Sequence, residues 1–133
     1  MFQSQALFLD DDESSLALWR TRTSHVELGR ALAALGRQED ALAAYERALA
    51  VDPRYVPARM GIGNVHVIRQ SYAEAETELR HALRLAPESP DVHQNLGLVL
   101  YRKGLYSAAI ESFRKVSELD PSSASAHFYL GDC

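Results

Sequence analysis

Three histidines, His25, His93 and His127, stand at multiples of one interval and are the first residues in this chain to suggest a ligand set. A metal would require them to converge, because two ligands on one zinc ion each lie ~2 Å from it. Residues one period apart on equivalent packed helices are separated by roughly 8 to 10 Å, so the column predicts packing side chains instead of a metal site. The acidic run Asp10, Asp11, Asp12, Glu13 invites a calcium-loop reading. That reading fails at the sixth place, Ser15, where glycine is needed, and at the twelfth, Thr21, where glutamate is needed. Gly61-Ile62-Gly63 has two glycines of a phosphate-binding loop but neither the third nor a preceding strand. Cys133, the sole cysteine, has no base beside it in sequence and no partner for a disulfide. No catalytic residue, metal or cofactor is expected.

The elements that carry these residues follow one pattern. Gly29, Gly63, Gly97 and Gly131 stand 34 residues apart, and Pro53, Pro87 and Pro121 keep the same interval. Units laid out from Arg22 cover 22–55, 56–89 and 90–123, with 124–133 opening a fourth, and 1–21 preceding them as an arm or the remnant of an earlier helix. Ala41, Ala75 and Ala109 align; so do Tyr45, Leu79 and Phe113, and Ala48, Ala82 and Val116. A fixed period in this range marks a stacked repeat in which each unit buries its apolar face against its neighbours.

Within a unit the apolar residues recur at helical spacing. Ala41, Tyr45, Ala48 and Leu49 lie on one stripe of an otherwise polar helix. The recurring glycine and alanine lack bulk, so two helices can approach closely there. Asp52-Pro53, Ala86-Pro87 and Asp120-Pro121 stop each second helix, while Gly36 and Gly104 mark the turn inside their units and Gln70 takes that place in the second. The pattern predicts helices over 23–35, 38–50, 56–69, 72–85, 90–103, 106–118 and 123–131. Asp12, Glu13 and Ser14 read as the start of a helix carrying Leu16, Leu18 and Trp19.

These columns resemble the tetratricopeptide repeat, two antiparallel helices per 34 residues, over residues 22–131. His25, Arg59, His93 and His127 stand where that family often has tryptophan. The resemblance implies an all-α solenoid of helix-turn-helix units forming a right-handed superhelix, with ligand contacts on the concave face of the first helices. Carried onto this chain, the binding residues are Val26, Arg30, Met60, Asn64, Val67, Ile68, Gln94, Asn95, Leu98, Tyr101, Arg102 and Phe128. The face is largely apolar and suits an apolar or amphipathic segment whose backbone Asn64, Gln94 and Asn95 would fix. Chaperone-binding members of the family clamp a terminal carboxylate with basic residues; here Met60, Ser125 and Tyr129 occupy those places, so no recognition of acidic chaperone tails is expected. Gly61, mid-helix and outside the repeat pattern, costs ~1 kcal/mol relative to alanine and signals a close approach by ligand or neighbouring helix.

Charge narrows the partners. Each complete unit is neutral, with five basic and five acidic residues in 22–55 and four of each in the next two; the net −4 comes from the termini. No basic stripe is built into the repeat, which argues against nucleic acid. Neither a signal segment nor a membrane-length apolar run is evident, so a cytoplasmic location without membrane insertion is expected. The reading is a non-enzymatic scaffold for protein or peptide partners. The alternatives are a recruiting segment of a larger glycosyltransferase- or sulfotransferase-like enzyme, or a module that self-associates through its uncapped ends, since Phe128, Tyr129 and Leu130 have no second helix to cover them.

Overall fold

The computed structural model describes residues 2–122, with side chains from Leu16 onward. Six α-helices and no strand occur among the described residues: α1 Phe2–Ala34, α2 Gln38–Val51, α3 Val56–Ile68, α4 Tyr72–Leu85, α5 Pro90–Arg102 and α6 Tyr106–Leu119. Five of these match the expected spans to within a residue at each end. The first does not: α1 runs unbroken from Phe2, and Asp12, Glu13 and Ser14 lie inside it instead of at its start. A run of helix-compatible residues without glycine or proline from 2 to 28 gives nothing to stop it. The expected helix over 123–131 and Phe128 lie outside the described residues.

Each second helix stops for the reason its proline supplies. The ring disfavours helical backbone at the residue before it. Asp52, Ala86 and Asp120 accordingly have φ of −143°, −140° and −139°, and each donates its N–H to the carbonyl four residues back. Asp52 and Asp120 then fold their carboxylates over the turn, Oδ1 accepting from Arg54 N at 3.1 Å and from Ser122 N at 3.3 Å.

The turn inside each unit is a Schellman closure, made three times. Arg37 N donates to Leu32 O at 2.8 Å, Ser71 N to His66 O at 2.8 Å and Leu105 N to Leu100 O at 2.9 Å. That closure needs left-handed backbone at its pivot, where φ is 81° at Gly36, 80° at Gly104 and 62° at Gln70. Gln70 meets the same geometry without the freedom of glycine.

The chain forms two compact units, Met1–Ala58 and Arg59–Cys133, divided near the start of α3. In the first, Ala41, Ala44, Tyr45 and Ala48 of α2 are buried. In the second, Ala75 and Leu79 of α4, Leu96, Val99 and Leu100 of α5, and Ala109 and Phe113 of α6 form one core cluster. The recurring glycines sit where the helices of a unit touch: a Cβ on Gly97 would lie 2.9 Å from the Phe113 ring, and one on Gly29 would lie 2.6 Å from the Tyr45 ring.

Candidate peptide-binding site

The second unit presents the first-helix face. On α3, Asn64, Val67 and Ile68 fall at i, i+3 and i+4; on α5, Gln94, Leu98, Tyr101 and Arg102 fall at i, i+4, i+7 and i+8. Each set therefore lies on one side of its helix. Asn64 and Arg102 are exposed, Ile68 is 55% exposed, and Gln94, Asn95 and Leu98 are half-buried. Met60, Val67 and Tyr101 are half-buried because they pack on the core cluster from outside. Tyr101 is held further by an edge-to-face contact with Tyr106, ring centroids 5.4 Å apart. The result is a fixed apolar floor beside adaptable amide and guanidinium groups, an arrangement that can take apolar side chains while satisfying a backbone.

The remaining expected residues divide. Val26 is 2% exposed and belongs to the core, so its side chain is unavailable to a ligand; helical spacing alone does not separate a half-open position from a closed one. Arg30 is exposed and pairs with Glu27 at 3.0 Å on its own helix. Gly61, within α3, is buried.

The tryptophan-position column resolves into separate contacts. Arg59 pairs with Glu78 at 3.3 Å, tying α3 to α4, and His93 Nε2 lies 2.8 Å from Pro87 O. A network ties α4 to α5, where Glu76 accepts from Arg80 Nε at 2.8 Å and Lys103 Nζ at 2.7 Å. These two hydrogen bonds, Lys103 first, hold the Glu76 carboxyl below its ordinary value. In the first unit, burial pushes the Tyr45 phenol up, with Arg30 opposing and Glu27 adding to the effect.

Three features were not anticipated from sequence. A cavity of about 360 Å³ lies on the other side of α5, lined by Leu83, His93, Leu96, Leu100, Ser112 and Lys115 among others. Ser112 shares its column with Ala44 and Glu78, and nothing in that column pointed to the cavity. In the first unit Arg22 pairs with Asp52 and stacks over Tyr55, its guanidinium carbon 4.5 Å from the ring centre. Beside them Leu18, Trp19, Arg22, Val51 and Asp52 line an open cleft of about 330 Å³.

Comparison with known proteins places this geometry. A family model described as tetratricopeptide repeat matches residues 26–90, and a second, TPR repeat, matches 100–132. The cytochrome c-type biogenesis protein CycH of Rhizobium meliloti is 38% identical over 94 residues, covering 67% of this chain and 24% of that protein. The protein CTR9 homolog of Arabidopsis thaliana is 33% identical over 104 residues, covering 77% and 10%. The chain thus spans about a quarter or less of the curated relatives it matches. Among solved structures, YrrB, described as a TPR protein with an unusual peptide-binding site, superposes with a TM-score of 0.71 at 31% identity, covering 80% of this chain and 55% of that one. The first TPR of Spaghetti (RPAP3) bound to an HSP90 peptide gives a TM-score of 0.80 at 18% identity, covering 85% and 90%. An O-GlcNAc transferase mutant from Thermobaculum terrenum gives 0.79 at 28%, covering 85% and 22%. No described helix is long and apolar enough to cross a membrane. Helix-turn-helix units closed by small-residue contacts, matched by two repeat models and by repeat structures, make this chain an all-α solenoid-forming member of the tetratricopeptide repeat family.

Proposed function

We propose that the chain is a non-catalytic scaffold that binds an apolar or amphipathic protein segment on the first-helix face of its second unit. The observation that carries this reading is Ile68, 55% exposed in line with exposed Asn64 on α3, with half-buried Leu98 and Tyr101 on α5. A large aliphatic side chain left half in water beside amide groups is a surface that gains from being covered. Apolar side chains of the partner would meet Ile68, Leu98 and the open edge of Tyr101, while Asn64, Gln94 and Asn95 would hydrogen-bond its backbone. YrrB, itself described by its peptide-binding site, supports the class of ligand.

The test is affinity for a peptide selected by display against the 133-residue chain, measured by fluorescence anisotropy. Ile68→Glu with Asn64→Ala should weaken binding at least tenfold, and Lys115→Glu, on the other side of α5, should leave it unchanged. Equal loss in both variants would refute the assignment of this face.

The likeness to the O-GlcNAc transferase, of which the matched portion is 22%, favours a second reading. In it the same face recruits a substrate protein to a catalytic domain of the glycosyltransferase or sulfotransferase type encoded in the same polypeptide. Finding such a domain in the full reading frame would select this reading.

A further inference from the structure

The cavity of about 360 Å³ on the other side of α5 lies within the second unit, apart from the first-helix face. Its size is that of a small-molecule site, and its wall has the composition of one, aliphatic with a few convergent polar groups. Leu96 and Leu100, each 2% exposed, form the floor, and Leu83 of α4 stands to one side.

The polar groups are unevenly placed along this groove. The tight turn at Gly104 makes α5 and α6 antiparallel, and the close approach of Gly97 to the Phe113 ring fixes their register. Leu100 is thereby set toward Ala108, and His93 toward Lys115 two helical turns further on, roughly 10 Å away at ~1.5 Å per residue. One end is apolar and the other basic, with Ser112 between them.

Two of the polar groups lack a hydrogen-bond partner among the described residues. Ser112 is 9% exposed, yet its hydroxyl is bonded to no other side chain or backbone group. A hydroxyl so far withdrawn from bulk water gains from an acceptor. Lys115 Nζ lies 3.9 Å from Glu118 Oε2, outside hydrogen-bonding range. The remaining groups are engaged: Arg80 Nε donates to Glu76 at 2.8 Å, Glu111 accepts from Arg114 at 3.1 Å, and His93 Nε2 lies 2.8 Å from Pro87 O. The groove therefore offers a hydroxyl and an ammonium donor one turn apart on α6, and the one carboxylate on its lining is already neutralised.

We propose that this groove binds a small apolar carboxylate, an acid of about six to nine carbon atoms, at a site distinct from the peptide face. Its hydrocarbon part lies over Leu96 and Leu100 toward Ala108. Its carboxylate accepts from Ser112 Oγ and Lys115 Nζ, a charge-assisted pair that fixes which way round the molecule sits.

The test is titration of the isotopically labelled 133-residue chain with 3-phenylpropanoate, followed by backbone amide shifts, with 3-phenylpropanol as the uncharged probe of the same shape. The expected result is saturable binding with a dissociation constant of about 1 mM, in keeping with a ligand of this size. Shifts should centre on Leu83, His93, Leu96, Ser112 and Lys115, and the alcohol should bind at least about tenfold more weakly. Lys115→Glu should weaken the acid at least about tenfold and Ser112→Ala about threefold or more. Arg84→Glu makes the same charge change at an exposed α4 residue outside the lining and should leave affinity unchanged. Circular dichroism confirms that each variant keeps its helix. No saturation up to about 20 mM, roughly twenty times the expected constant, overturns the proposal, as do shifts centred on Asn64, Ile68 and Leu98. So does an alcohol that binds as tightly as the acid, or a Lys115→Glu effect no larger than that of Arg84→Glu. The peptide face is read by a different probe and a different set of amides, so either site can fail without the other.

Discussion

Replacing each recurring glycine by alanine should destabilise the protein in a definite order. Added to Gly29, a Cβ would lie 2.6 Å from Tyr45 Cε1 and 2.9 Å from Cδ1 and Cζ. On Gly97 it would lie 2.9 Å from Phe113 Cε1 and Cζ, and on Gly63 it would lie 3.1 Å from Leu79 Cγ. Unstrained carbon contacts are about 3.5 to 4.0 Å, so the overlap is near 1 Å at Gly29, roughly 0.6 Å at Gly97 and a few tenths at Gly63. Tyr45 is 2% exposed and Phe113 and Leu79 are 0% exposed, so the flat rings have nowhere to turn, whereas Leu79 can yield by a small rotamer change. Against the overlap stands the gain of ~1 kcal/mol from replacing glycine in a helix. Overpacking typically costs 1 to 3 kcal/mol. The net expectation is a loss of about 2 kcal/mol for Gly29→Ala, about 1 for Gly97→Ala and near zero for Gly63→Ala. Urea unfolding followed at 222 nm measures all three. If Gly63→Ala is the most damaging, or if all three stabilise by about the propensity gain, close approach is not what these glycines supply.

Further expectations concern the turns, the charge network and the ligand. Gln70→Gly should stabilise by ~0.5 to 1 kcal/mol, because it relieves a left-handed backbone worth ~1 to 2 kcal/mol at partial cost in chain entropy, whereas Gly36→Ala and Gly104→Ala should each lose about 1; thermal melts decide. Glu76 is held below 4.5 by Lys103 and Arg80, so its contribution is full above that value and fades as pH falls through the lowered folded one. Glu76→Gln should therefore lose stability near neutral pH, with the gap to wild type closing as the solution is acidified through the lowered value of the folded state. A peptide ending in the HSP90 sequence EEVD should show no saturable binding up to millimolar concentration, because Met60 stands where a basic clamp residue is required.

Much of the fold is readable from the residues because each boundary has a local cause. Pro53, Pro87 and Pro121 end helices by excluding helical backbone before them, and Gly36 and Gly104 permit the closing turn. Gln70 was readable only by its register, since nothing in its chemistry favours a positive φ. The start of α1 was legible only in part: residues 1–21 read equally as an arm or as the remnant of an earlier helix, and with no glycine or proline before Gly29 the helix continues from Phe2. Site residues were legible as a face but not as accessible groups. Val26 and Ile68 are both aliphatic and both fall on expected contact positions, yet one is sealed at 2% and the other is open at 55%. Their difference comes from tertiary packing, which a one-dimensional period does not encode. The cavity beside His93 and Ser112 escaped for the same reason, as its lining is drawn from three helices, α4, α5 and α6.

The central claim is that the first-helix face of the second unit receives a protein segment. Titrating the isotopically labelled chain with a display-selected peptide and following backbone amide shifts tests it most directly. The account predicts perturbations concentrated at Asn64, Val67, Ile68, Gln94, Asn95, Leu98, Tyr101 and Arg102. Perturbations concentrated instead at Leu83, Ser112 and Lys115, or at Leu16 to Trp19, would contradict it.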